Sequence, residues 1–202
     1  AYFPSRFPLR DLEPGLDEGA YWDPKAVASP NGCHICEVEI DPDTGRLTIV
    51  RFVTVHDFGN IVNPMIVEGQ VHGAVAQGLG QAVLEHCVYD QASGQLLSGS
   101  FADYCMPRAD DMPSFDTVFN GYPCPTNPLG VKGCGEAGTI GSPPALVNAV
   151  VDAVAELGIR HLDMPLTPEK LWREISARRS CEPVGGEGGK EQCGQVDHDG
   201  ER

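Results

Sequence analysis

Val67, Val71, Val75, Leu79 and Val83 recur every four residues, a spacing that lays them along one side of a helix and commits that side to a core. Asn63 and Pro64 stand where such a helix starts, as N-cap and first helical residue, and the pattern runs to about Glu85. The same stretch carries Gly69, Gly73, Gly78 and Gly80, each of which weakens a helix by about 0.5–1 kcal/mol relative to Ala. That cost makes sense if another backbone or a bulky ligand lies against the glycines. Gln70, Gln77 and Gln81 share one face, because seven residues are nearly two turns and eleven nearly three. Amides suit an uncharged polar heterocycle or oxo group; a solvated glutamine face is the plain alternative.

The segments around this helix predict an α+β chain: β-hairpins packed with a Gly-rich helix and two C-terminal helices. Cys36, Val38 and Ile40 alternate with Glu37, Glu39 and Asp41, which is the period of a half-buried strand. The turn Asp41-Pro42-Asp43-Thr44-Gly45 then leads into Leu47, Ile49, Val53 and Val55, so residues 33–55 read as a hairpin. Residues 87–105 read as a second hairpin with a return strand over 96–104, and a strand is expected near Asp116 to Phe119. A helix starting at Ser142-Pro143-Pro144 and stopped by Gly158 carries Leu146, Val150 and Val154, and Thr167-Pro168-Glu169 opens another with Leu171 and Ile175. Residues 1–31, rich in Pro and aromatics, read as an extended segment, and 32–177 as the folded part. Residues 178–202 read as a disordered acidic Gly-rich tail: from 181 onward they hold six glycines, six acidic residues and almost nothing apolar.

A net charge of -15 argues against the phosphate backbone of nucleic acids, and no apolar run is long enough for a membrane span or signal peptide. Small molecules or protein partners remain, in a soluble, cytoplasmic setting. Most of the eight cysteines lie within patterned segments and read as reduced thiols. Cys33-His34-Ile35-Cys36 has the spacing of half a zinc site or a redox pair, but a structural zinc needs four ligands and strand alternation points the two thiols apart. His72 and His86 receive no role.

One loop sets a lone carboxylate among glycines: Gly130-Val131-Lys132-Gly133-Cys134-Gly135-Glu136-Ala137-Gly138. Glycine permits close backbone approach to a ligand, so Glu136 is a candidate general base; a solvated glutamate in a surface loop is the alternative. A carboxylate in a water-poor pocket has its pKa raised towards the operating pH, an effect that Lys132 would oppose if it points inward.

Three long motifs, residues 31–41, 68–82 and 127–138, resemble in sequence and order the molybdopterin-binding large subunit of the xanthine oxidase family of molybdenum hydroxylases, and Met164-Pro165-Leu166-Thr167-Pro168-Glu169-Lys170-Leu171-Trp172 is similar to that family's C-terminus. The carbon monoxide dehydrogenase and aldehyde dehydrogenase branch is the most similar. The resemblance implies the C-terminal part of a larger molybdopterin-binding domain. Glu136 matches the family's base, which takes a proton from the metal's hydroxyl ligand as that oxygen attacks substrate; Gln70 matches its cofactor-contacting glutamine, with Gly69 and Gly135 beside the two. No residue here is assigned as a metal ligand. Implied cofactors are molybdopterin, in its cytosine dinucleotide form, with molybdenum. Implied partners are the rest of the large subunit, an iron–sulfur small subunit carrying [2Fe–2S] clusters and an FAD-binding medium subunit, since no cysteine set here has plant-type cluster spacing. The substrate, an aldehyde, carbon monoxide or an N-heterocycle, stays open. The rival readings are a non-catalytic remnant of such a subunit and a zinc or redox module at Cys33 and Cys36.

Overall fold

In the computed structural model, which describes residues 17, 19–24 and 26–180, β1 (Asn31–Ile40) and β2 (Leu47–Asp57) form the expected antiparallel hairpin. Alternation operates as anticipated: Cys36, Val38 and Ile40 are half-buried while Glu37 and Glu39 are exposed. The ladder shifts register between Glu37 and Val38. The third strand, β3 (Phe115–Phe119), lies parallel to β2, pairing Phe52 with Phe115 and His56 with Phe119. Parallel pairing requires a crossover, and the helix with the valine stripe provides it.

That helix, α1 (Pro64–Val83), begins as the sequence predicts: the Asn63 side chain accepts from the Ile66 N–H, and Pro64 stands at its first position. Val71, Val75 and Leu79 are fully buried. Each contributes about 1.5–3 kcal/mol on burial, which offsets the four glycines. Against α1 and the sheet packs α2 (Ala137–Ala153), contributing Leu146 and Val150 to the same core. The last helix, α3 (Pro168–Arg179), is capped by Thr167, whose hydroxyl accepts from the Lys170 N–H, and buries Leu171 and Ile175. Among the described residues no helix is long and apolar enough to cross a membrane.

Three expectations need correction. The helix expected from Ser142 begins at Ala137, with Pro143 and Pro144 inside it. Prolines break a helix by lacking an N–H and crowding the preceding turn, but this first turn is held by its own bond, Ile140 N donating to Glu136 O at 3.1 Å, and pinned by tertiary contact where Gly138 seats on α1. The second hairpin shrinks to one bridge, Tyr89 with Leu96, flanked by Leu97 N donating to Val88 O. The 96–104 strand fails because Ser100 and Asp103 bond each other in a local turn. Helix α3 takes in Arg178 and Arg179, two residues past the expected boundary. Residues 181–202 of the expected tail, with residues 1–16, 18 and 25 of the N-terminal segment, lie outside the described residues.

Candidate functional site

The crossing of α1 and α2 is a glycine contact. A Cβ on Gly138 would stand 2.7 Å from the Ala74 Cβ and 2.8 Å from Val71 O and Val75 N, and one on Gly78 would collide with Ser142 Oγ. Only the absence of side chains lets the two backbones meet. Thr139 Oγ1 then donates to Ala74 O at 3.0 Å and lies 3.5 Å from Gln77 Oε1.

This crossing organises the residues singled out in the sequence. Glu136 becomes the N-cap residue of α2 and its side chain makes no capping bond. Gln70 precedes by one residue the Val71 carbonyl on which Gly138 rests. It also shares a face with Gln77, which meets Thr139, three residues beyond Glu136. Both Gln70 and Glu136 are exposed.

The glycines divide into two groups. Gly78 and Gly80 are taken up inside this chain, Gly80 against the Pro107 ring, whereas Gly69, Gly73 and Gly135 have nothing within 4 Å of where a Cβ would be. Of these, Gly69 adjoins Gln70 in sequence and Gly135 adjoins Glu136. The space left open at Gly69 is a bare shelf next to the Gln70 amide, an uncharged donor and acceptor that suits a polar, hydrogen-bonding group.

A frame of hydrogen bonds fixes the loop that precedes Glu136. Asn127 closes it through its amide: Nδ2 donates to Val131 O at 2.9 Å and Oδ1 accepts from Val131 N at 3.1 Å. Gly130 O accepts from Asn60 N, and Lys132 N donates to Phe58 O. Lys132 Nζ points inward but meets Asp57 Oδ2 at 2.5 Å, not Glu136. The Asp57 carboxyl is held down at about 2, first by Lys132 and then by the Gly59 and Tyr122 N–H groups on its Oδ1. The lysine's charge is thus neutralised at the end of β2. Asp57 escaped the sequence reading because an acidic residue at a strand end looks solvated; the signal was an inward lysine in need of a counter-ion.

Cys33 is exposed and Cys36 half-buried on the opposite face of β1, where burial pushes the Cys36 thiol up to about 12. Among the described residues no group of three or more His, Cys, Asp and Glu is placed to hold a metal. His86 is exposed, and His72 packs on Phe115 with ring centroids 5.5 Å apart.

His34 and His56 form a pair that went unnoticed in the sequence. Their rings meet edge to face at 5.0 Å beside a cavity of about 330 Å³ between the hairpin and α2, near Asn31 and Asn148. His56 is 1% exposed, and neither of its ring nitrogens nor His34 Nδ1 has a partner among the described residues. Burial, then the neighbouring His56, lowers His34 to about 4, and burial lowers His56. Both rings fold neutral, whereas the unfolded chain protonates them near 6.5, so their contribution to stability is complete above that pH and lost as pH falls towards 4. Denaturant midpoints are expected to drop by about 2 kcal/mol equivalent between pH 7 and pH 4.5. The variant His34→Phe should flatten that limb; an unchanged limb would remove His34 as its cause.

The chain belongs to the family of molybdopterin cofactor-binding domains, whose family model matches residues 2–113. More narrowly, it is of the molybdopterin-binding large-subunit type of the xanthine oxidase family. It is 40% identical over 168 residues to the carbon monoxide dehydrogenase large chain of Hydrogenophaga pseudoflava, covering 83% of this chain and 21% of that one. It is 42% identical over 162 residues to the nicotine 6-hydroxylase large subunit of Paenarthrobacter nicotinovorans, covering 80% and 20%. Among solved structures, a Cu,Mo-CO dehydrogenase superposes with a TM-score of 0.81 at 37% identity, over 86% of this chain and 22% of that chain. The chain spans about a fifth of the length of these relatives.

Proposed function

We propose that this chain supplies the general base, Glu136, and a cofactor contact, Gln70, to the active site of a molybdenum hydroxylase. The observation that supports the reading is the α1–α2 crossing, where Gly138, two residues past Glu136, rests on Val71, the residue after Gln70. The whole enzyme oxidises an aldehyde, carbon monoxide or an N-heterocycle with oxygen derived from water. The relatives named for carbon monoxide and nicotine support that range without choosing within it.

The molybdenum cofactor, in its molybdopterin cytosine dinucleotide form, supplies two-electron redox chemistry when bound. Gln70 would hold it through its amide, which can donate from Nε2 and accept at Oε1 without adding charge. Gly69 and Gly135 leave the backbone low enough for close approach. A Glu136 carboxylate oxygen takes the proton released as water-derived oxygen is committed to substrate. Glu136 is exposed in this chain, so the desolvation that tunes a carboxylate as a base comes from the cofactor and the remainder of the large subunit. Lys132, tied to Asp57, does not oppose it. Electrons leave through an iron–sulfur small subunit and an FAD-binding medium subunit, in a cytoplasmic complex.

Gly69→Val tests the shelf. No atom lies within 4 Å of the new Cβ, and Val is a better helix former than Gly, so the fold should be kept. In the complete enzyme, molybdenum and pterin content should fall several-fold, with turnover on carbon monoxide, aldehydes and N-heterocycles falling in proportion. Normal cofactor content would sink the assignment of this face.

A further inference from the structure

Asp57 and Lys132 form the best-enclosed ion pair among the described residues, their side chains 19% and 10% exposed, and the proposed reaction leaves both without a role. Burying a charge pair is expensive unless each group is fully hydrogen-bonded, and this one is built to be. Asp57 Oδ1 accepts from the Gly59 and Tyr122 N–H groups, both at 2.9 Å, while Oδ2 takes the ammonium. One carboxylate thereby gathers three segments: the end of β2, the residues after β3, and the loop leading to Glu136.

The position of Lys132 in that loop gives the arrangement its consequence. Its own N–H is bound to Phe58 O, and the next residue, Gly133, donates to Ala28 O. Beyond it only Gly133, Cys134 and Gly135 intervene before Glu136, and two residues past Glu136 the chain is fixed again where Gly138 meets Val71 and Ala74. Glu136 hangs on a short, glycine-containing bridge between two fixed points. The side of the bridge towards α2 is held by backbone packing; the other side is held by the Lys132 and Gly133 backbone bonds and, at a side chain, by the ion pair.

We propose that the Asp57–Lys132 pair is the positioning element for Glu136, fixing the near end of its loop so that the carboxylate meets the reacting group. This rests on the reading of Glu136 as the base. Neither residue touches the reacting atoms; they act through the loop.

Two variants in the complete holoenzyme separate this from a merely structural role. Asp57→Asn keeps an oxygen for the Gly59 and Tyr122 N–H groups and replaces only the oxygen that faces Lys132. Lys132→Met keeps the side-chain stem and removes the ammonium. Each is expected to lower kcat about a hundred-fold, the cost of displacing a catalytic group by about 1 Å, with KM within about threefold and molybdenum and pterin content unchanged. Groups that act as a unit are not additive, so the double variant should lose no more than either single one. Hydrogen exchange at residues 133–136 should quicken about tenfold in both, with the α3 amides unchanged. The proposal is overturned if kcat stays within about threefold, if the two losses multiply, if cofactor is lost, or if α3 loosens together with the loop. Glu136→Gln run in parallel keeps the layers distinct. Should that variant turn over normally with cofactor loaded, the base itself is misassigned; a dead Glu136→Gln beside a normal Asp57→Asn rejects only the positioning pair.

Discussion

Glu136→Gln in the complete enzyme should lower turnover by about 10²–10⁴-fold, the range that general base catalysis contributes, while molybdenum and pterin content stay at the wild-type level. The substitution is nearly isosteric. Glu136 is exposed and its side chain makes no capping bond to α2, so among the described residues no capping bond is lost with the charge. The effect should therefore fall on the chemical step, with cofactor retained by the shelf and by Gln70. Turnover within about threefold of wild type, in enzyme shown to be loaded, would reject the base. Loss of cofactor would instead make Glu136 a binding residue. Gln70→Ala is the complementary case, since it removes an amide that holds the cofactor and should appear first as lower molybdenum content.

Local signals carried much of this architecture. The alternation from Cys36 to Ile40, the Asn63-Pro64 start of α1 and the Thr167 cap of α3 each state their structure within a few residues, and the structure follows them. What local pattern missed was set by distant contacts. Pro143 and Pro144 advertise a helix start, yet the helix begins five residues earlier, because Gly138 gains more by seating on Val71 and Ala74 than the prolines cost. The strand expected over 96–104 has the right residue types, but among the described residues its pairing stops at the Tyr89–Leu96 bridge and the Leu97 bond to Val88. Gly69, Gly73, Gly78 and Gly80 read alike in sequence; only the fold shows that Gly78 and Gly80 serve internal packing and that Gly69 and Gly73 remain open. The Asp57–Lys132 and His34–His56 pairs join residues 75 and 22 positions apart, separations at which periodicity says nothing.

Gly138→Val should cost about 3 kcal/mol of stability, at the upper end of what overpacking a close contact produces. The new Cβ would face the Ala74 Cβ at 2.7 Å and two α1 backbone atoms at 2.8 Å. Backbone in the middle of α1 cannot swing aside as a flexible side chain would, so α2 must lift. Lifting α2 strains the Thr139 bond to Ala74 O and shifts the N-cap position where Glu136 stands. Stability and turnover should therefore fall together, kcat by about a hundred-fold for a displacement near 1 Å. Gly73→Ala, one residue from the contact but facing open space, should do the opposite and raise stability by about 0.5–1 kcal/mol through helix propensity alone. Denaturant midpoints of the two variants against wild type read both effects directly. Equal midpoints would mean that the crossing tolerates a side chain at Gly138, and that some other contact sets the distance between Gln70 and Glu136.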